Sequence, residues 1–382
     1  ATLPELPGKV GFARAGSGLP TPLSDGVREC LELLQQAERP VLVIGSQTMA
    51  GIKEPAALAE AVAALGLPTY LAGAARGLLG AESPLALRHK RRAALKEADV
   101  VLVSGFPFDF RLGYGRSIGG GARVVAVNLD AGALRQNRRP ELAVVAHPAR
   151  FLEELAVGAS TLPPQRWPLW LGTLRQRERA RDEEIVAQGR RGAEPGINPI
   201  ALFMAMEARL GDDATIVVDG GDFAATGAYV LRPRGPLRWL DPGVFGTLGV
   251  GGGFAVAAAR RAAGSQVWLV YGDGSSAYSL AELDTCARHG LAPIVVVGTD
   301  GAWAQIARDQ RAILGDDVGT VLSRCAYEKV AEGYGAVGLR LEDPAEIDTV
   351  LDAAVEHASA GRPVLINAML AASDFREGSL SM

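Results

Sequence analysis

Apolar runs without polar alternation limit the fold of this sequence more than any other feature. Pro40 to Ser46 reads PVLVIGS, Asp99 to Gly105 reads DVVLVSG and Ala122 to Asp130 reads ARVVAVNLD. Further on, Ala214 to Gly221 reads ATIVVDGG, Ser265 to Gly274 reads SQVWLVYGDG and Ala292 to Asp300 reads APIVVVGTD. A strand with one wet face alternates polar and apolar side chains, whereas a run without alternation is buried on both faces. Burial on both faces calls for a parallel sheet with helices above and below it. The stretches between the runs supply those helices: EPAALAEAVAALG (Glu54 to Gly66), GFAVAAARRAAG and SLAELDTCARHG carry helical spacing and stop at glycine. Shorter runs at Pro68 to Ala72 and Glu141 to His147 extend the first set, and RPVLINAML closes the second. The expected fold class is α/β, with two doubly wound parallel-sheet domains.

The two sets of runs place a first domain over 1–156 and a second over 197–382, joined by a connector over 157–196. The connector opens on GASTLPPQRWP and continues as TLRQRERARDEEIVAQG, whose charge predicts a solvated surface helix. A length of 382 residues suits two or three domains. The formal charge of -4, without a basic cluster, argues against a nucleic-acid partner. Cys30, Cys286 and Cys325 are scattered, and the four histidines form no pair at ligand spacing. That excludes a disulfide framework and a zinc site, and it points to a reducing, cytoplasmic compartment. No apolar run is long enough for a membrane span.

Three glycine-rich segments sit in the second domain: DGGDF (Asp219 to Phe223), FGTLGVGGGF (Phe245 to Phe254) and YGDGSS (Tyr271 to Ser276). Open parallel sheets bind ligands outside the carboxyl ends of their strands. Glycines there let the backbone approach a phosphate, and a following helix offers free N–H groups. Each segment taken alone is equally a tight turn. Asp273 and Asp300 add a second feature, because both end strands and lie 27 residues apart. A strand–helix–strand unit brings them to one sheet edge, where two carboxylates beside a phosphate loop suit magnesium. The alternative is that Asp273 caps a helix starting near Ser275. Spacing does not separate the two.

The whole stretch GDGSSAYSLAELDTCARHGLAPIVVVGTDGAW resembles the signature of thiamine-diphosphate enzymes, in which GDG is followed at this spacing by Asn. Asp300 stands in the place of that Asn, with Thr299 as the fallback if the register slips by one. The resemblance implies thiamine diphosphate and Mg2+ as cofactors, the metal held by Asp273, Asp300 and the backbone carbonyl of Ala302. It implies cofactor contacts at Gly221, Asp222 and Phe223, and at Gly272, Gly274 and Ser275. The carbonyl of Gly246 would accept the 4'-amino group, and Leu248 would wedge between the two cofactor rings. Trp303, one turn past the metal loop, either lines the pocket or packs in the core.

Residues 1–156 resemble the central domain of acetolactate synthase-type enzymes, most clearly in ADVVLVSGFPFDFRLGYG. WLDPGVFGTLGVGGGFA and DFREGSLSM resemble the acetolactate synthase-like proteins that act as 2-hydroxyacyl-CoA lyases. The implied activity is a carbon–carbon lyase yielding an aldehyde and formyl-CoA. The alternatives are an acetolactate synthase-type carboligase or 2-oxo acid decarboxylase, and a non-catalytic binding protein of the same fold. The substrate would be a small molecule, a 2-hydroxyacyl-CoA or a 2-oxo acid. No catalytic residue is assigned within the chain, because the family's activating Glu belongs to a pyrimidine-binding domain that would precede it. The expectation is therefore a fragment or one subunit of a split enzyme, inactive alone and completed by a homo-oligomer or a separate pyrimidine-domain chain. Relatives bind FAD, ADP or nothing in the central domain. Gly45, Arg76 and Asp130 are the candidates here, with a turn glycine, a surface charge and a helix cap as the alternatives.

Overall fold

The computed structural model describes residues 23–159, 167–193, 195–262 and 264–377. The opening of the connector and the last residues of DFREGSLSM lie largely outside them. Two six-stranded sheets form the frame, and every strand pair in both is parallel. The first comprises β1 (Pro40–Ile44), β2 (Thr69–Leu71), β3 (Ala86–Leu87), β4 (Val100–Ser104), β5 (Arg123–Asn128) and β6 (Leu142–Val145). The second comprises β7 (Thr215–Val218), β8 (Trp239–Leu240), β9 (Val267–Gly272), β10 (Ile294–Thr299), β11 (Val337–Leu341) and β12 (Val364–Met369). Their orders are β3-β2-β1-β4-β5-β6 and β11-β12-β10-β9-β7-β8.

Every residue of β1, β4, β7, β10 and β12 is buried, as the missing alternation requires. Alternate residues of the second sheet feed two separate cores. Ile216, Val218, Val270 and Val296 pack on one side with the helices Pro199–Glu207 and Asp222–Val230. Val217, Leu269, Val295 and Val297 pack on the other with the helices Val250–Arg261 and Glu282–His289. The chain thus leaves β7 and β9 toward opposite faces. In a doubly wound sheet, a crevice opens at that switch point, beyond the strand ends.

The charged connector differs from a solvated surface helix. It forms a 22-residue helix, Pro168–Gly189, that buries Trp170, Leu174 and Ile185. Trp167 and Trp170 donate their ring N–H groups to the carbonyls of Ala37 and Pro40. Glu178 accepts the main-chain amides of Arg88 and His89, and Asp182 accepts from the Arg88 guanidinium. Its charges therefore serve as clamps on the first domain. Strands β3, β8 and β11 carry no signal in the sequence pattern: two are two residues long, and β11 is a half-exposed edge strand.

Candidate active site at the second sheet edge

Asp273 is the first residue of a short helix, Asp273–Ser276, immediately after β9. Its Oδ1 accepts from the amide of Gly274 (2.8 Å) and its Oδ2 from the amide of Gly301 (2.8 Å), just beyond β10. It thus ties two strand ends together rather than capping a helix at Ser275. The capping is done one residue earlier, where Gly272 and the Ser275 hydroxyl exchange hydrogen bonds of 3.1 Å. Asp300 follows β10, and its Oδ1 accepts from the amide of Ala302 (3.0 Å). Burial lifts the Asp273 carboxyl above its ordinary range against the pull of the Gly301 and Gly274 amides. Burial, and then the neighbouring charge of Asp273, push Asp300 up to about 7, and Asp222 adds to the repulsion. Arg324 offsets only part of this crowding, and a hard cation can supply further counter-charge. Thr299, by contrast, is fully buried and turns its hydroxyl away, 2.6 Å from Asn367 Oδ1.

The glycine turns line the same edge. Gly221, after β7, has φ +102°, and a Cβ built on it would meet open space. Gly272 faces the carbonyl of Gly220, where a Cβ would stand 3.7 Å from the oxygen. Leu248 lies so close over Gly220 that no side chain fits between them. Its turn is held from beneath by Asp219, which is fully buried and accepts from the amides of Gly249 (3.0 Å) and Gly251 (2.7 Å). Sequence reasoning missed Asp219, although it opens the DGGDF segment. Gly246, at φ +58°, presents its backbone on an exposed turn, and neighbouring Phe245 is 88% exposed.

Three expected contacts are placed differently from a simple lining role. The Phe223 ring is buried, stacks on Phe203 (4.5 Å between centroids) and abuts Gly298, so only its main chain faces the edge. Asp222 is ion-paired with Arg308 (2.7 Å), and Arg376 stands 3.7 Å away. Trp303 lays its ring against Gly274.

At the first sheet edge, Gly45 abuts the carbonyl of Gly105 and the Phe106 ring, so a larger residue would not fit in its place. Arg76 is no surface charge: its guanidinium lies over the Trp239 ring (5.1 Å) in the second domain and reaches the carbonyl of Ala228. Burial lowers its pKa. Asp130 is exposed and accepts from the amide of Gly132. A separate cavity of about 770 Å³ lies between the domains. Its charged walls pair with each other, Arg88 with Asp182 and Arg234 with Glu207. The carboxyls raised by burial and crowding are at the ends of β9 and β10 instead.

The profile of the thiamine pyrophosphate enzyme central domain matches residues 27–155, and that of the C-terminal TPP binding domain matches residues 219–368. The chain is 39% identical to 2-hydroxyacyl-CoA lyase 2 of Danio rerio, covering 95% of this chain and 59% of that protein. It is 40% identical to 2-hydroxyacyl-CoA lyase 2 of Homo sapiens, covering 93% and 57%. The acetolactate synthase large subunit IlvG of Mycobacterium tuberculosis is more distant, 32% identical over 92% of this chain and 62% of that one. The chain thus spans less than two thirds of the length of these curated relatives. Among solved structures, a thiamine diphosphate-dependent 4-hydroxybenzoylformate decarboxylase of Rhodococcus jostii superposes with a TM-score of 0.71. At 21% identity, over 95% of this chain and 67% of that one, this likeness concerns the fold alone. The chain belongs to the thiamine pyrophosphate enzymes, whose central and C-terminal TPP-binding domains it carries.

Proposed function

We propose that this chain supplies the magnesium and diphosphate half of a carbon–carbon lyase acting on 2-hydroxyacyl-CoA. One observation carries the reading: Asp273 and Asp300 converge beside glycine turns at the switch point, in a chain about 40% identical to proteins named 2-hydroxyacyl-CoA lyase 2. The donor set fits a divalent cation, held by Asp273, Asp300 and the carbonyl of Ala302. The amides that open the helix Asp222–Val230 face the same edge as Gly221, Gly272 and Gly274, and would receive a diphosphate. Arg308 neutralises Asp222 and so keeps that carboxylate from repelling the anion. The carbonyl of Gly246 would accept from the cofactor's amino group, and Leu248, braced on Gly220, would pack against its rings.

Thiamine diphosphate, when bound, supplies the electron sink that lets a bond next to a carbonyl break. The chain's own residues orient it and limit water. The products are an aldehyde and formyl-CoA. A carboligation of the acetolactate synthase type is the second reading, favoured by the 32% identity to that enzyme. FAD or ADP in the central domain is a lesser alternative, and it is given no step here. Phe245, Ile306, Ile313, Leu314 and Val318 are large apolar side chains exposed in the second domain. They support a covering partner, a second copy or a separate pyrimidine-domain chain. Among the described residues no helix is long and apolar enough to cross a membrane. Three free cysteines support a reducing compartment such as the cytoplasm.

The test is calorimetry of thiamine diphosphate with and without Mg2+, on the chain alone and with a pyrimidine-domain partner. Asp273→Ala should abolish the magnesium-dependent binding, and unchanged binding would remove the site assignment. Offering a 2-hydroxyacyl-CoA and a 2-oxo acid in parallel separates the chemistries: formyl-CoA supports the lyase, and carbon dioxide alone refutes it.

A further inference from the structure

Asp273 and Asp300 follow neighbouring strands, and a single short helix touches the first directly and reaches the second through Asn367 and Thr299. The helix Tyr327–Gly333 starts beside them. The Tyr327 hydroxyl donates to the main-chain carbonyl of Asp273 (3.2 Å). The next residue, Glu328, is 6% exposed and accepts at Oε2 from Asn367 Nδ2 (2.7 Å). Asn367 is a fully buried polar residue in the middle of apolar β12. It also donates to the carbonyl of Cys325 (3.0 Å), and its Oδ1 accepts from the hydroxyl of Thr299, the residue before Asp300. Arg340 on β11 closes the outer end, with Nη1 3.2 Å from Glu328 Oε1.

The direction of these bonds is forced. A carboxylate and a carbonyl only accept, so both N–H groups of Asn367 are committed to Glu328 and Cys325. Its oxygen must then face Thr299, whose hydroxyl must donate. This pins Thr299 to the face of β10 shared with Val295 and Val297. Side chains alternate along a strand, and a slip of one residue would exchange the faces. With Thr299 pinned, Asp300 is directed to the other side, toward Asp273 and Asp222. A half-satisfied polar group in this core would be costly. In this chain the hydrogen bonds run unbroken from Arg340 to Thr299.

We propose that Glu328 and Asn367 are positioning residues that hold Asp300 on the Asp273 side of the sheet edge by fixing Thr299. This rests on the reading above, that the two aspartates hold the cation. The probe is Mn2+, its binding followed by electron paramagnetic resonance in the presence of thiamine diphosphate. The proteins are the wild-type chain, Asp273→Asn, Glu328→Leu, Glu328→Gln and Thr299→Val, each also melted. Loss of a partner behind a metal ligand weakens metal binding by about 10- to 100-fold. Glu328→Leu should therefore weaken Mn2+ binding at least about 10-fold. Glu328→Gln still offers Asn367 an oxygen and should recover most of the affinity. Should Glu328→Leu not fold, Thr299→Val carries the test, since it removes only the hydroxyl and keeps the shape. If Asp273→Asn abolishes Mn2+ binding while Glu328→Leu and Thr299→Val merely melt earlier, the positioning role is overturned and the metal site stands. If the wild-type chain binds no Mn2+, or Asp273→Asn binds it normally, the metal site itself is overturned and this role with it.

Discussion

Replacing Gly274 with alanine should stress the site through a single ring. The backbone there has a negative φ, so alanine fits the chain and any cost must come from contact. A Cβ on Gly274 would lie 2.5, 2.6 and 2.8 Å from three carbons of the Trp303 ring. Carbon contacts are comfortable at about 3.5–4.0 Å, so the ring must retreat by roughly 1 Å. It is not free to do so. The Trp303 amide donates to the carbonyl of Thr320 (2.8 Å), and its carbonyl receives the amides of Ile306 and Ala307 at the start of the helix Ala304–Leu314. Overpacking of this kind costs about 1–3 kcal/mol. For a domain of this size each kcal/mol lowers Tm by about 2–4 °C. The Gly274 amide also donates to Asp273, so metal-dependent cofactor binding should weaken along with Tm. The decisive measurement is a double-mutant cycle with Trp303→Leu, which makes room for the new methyl. Contacting residues couple by about 0.5–3 kcal/mol, and the double variant should be more stable than the summed singles by at least about 1 kcal/mol. Additive effects would mean that Trp303 does not pack on Gly274 as described.

Leu248→Ala should lower turnover far more than it weakens thiamine diphosphate binding, because the diphosphate and metal contacts are untouched. Equal losses in both would reduce Leu248 to packing. Native protein should react rapidly with a thiol reagent at Cys325, which is exposed, but not at Cys30 or Cys286, whose burial pushes each thiol up to about 12. Three equivalent labelling events would contradict this. Asp219→Asn should lower hydrogen-exchange protection at the amides of Gly249 and Gly251, and intact protection would deny the clamp. Burial raises the folded pKa of Asp219 above its ordinary 3.8 despite those amides. Its contribution to stability is therefore full below 3.8 and is lost as pH rises through the raised value. The stability lead of the wild type over Asp219→Asn should accordingly shrink with rising pH across that window, and a constant lead would refute the shift.

Strands buried on both faces were legible because their side chains have no reason to alternate; β1, β4, β5, β7, β9, β10 and β12 all read directly from the sequence. Strand β11 was not legible, since GLRL mixes an edge exposure with one core residue. The helix Asp222–Val230 was hidden by its glycine and small residues, which resemble a loop until Phe223 and Ala224 are seen in the core. Between Asp300 and Arg362 the sequence pattern assigns no element, yet three helices lie there. One of them presents Tyr327 and Glu328 to the site edge. Asp273 and Asp300 became candidates from their strand-end positions and spacing together with the resemblance of the stretch around them. Asp219, Glu328 and Asn367 were not, because the bonds that tie them to the edge reach groups 30 or more residues away. Asn367 did leave a trace, an amide in the otherwise apolar run RPVLINAML.

The residues that were missed share a physical logic with the glycines that were found. A glycine turn lets a ligand approach the backbone but has no side chain with which to fix its own position. In this chain three segments at the second sheet edge are fixed by a polar group set beneath them. Asp219 holds Gly249 and Gly251, the Ser275 hydroxyl holds Gly272, and Asn367 holds Thr299 behind the Asp300 loop. Access and position are therefore assigned to different residues, and their substitutions should fail differently. A side chain at Gly221 would enter the open space at the edge, and at φ +102° it would also strain the turn that carries it. Removing Asp219 or Asn367 leaves the entrance clear but lets the turn drift. A displacement of about 1 Å in a positioned group can cost about 100-fold in rate without closing the site. Buried polar side chains one layer below the glycines are thus where substrate-independent losses of turnover should concentrate.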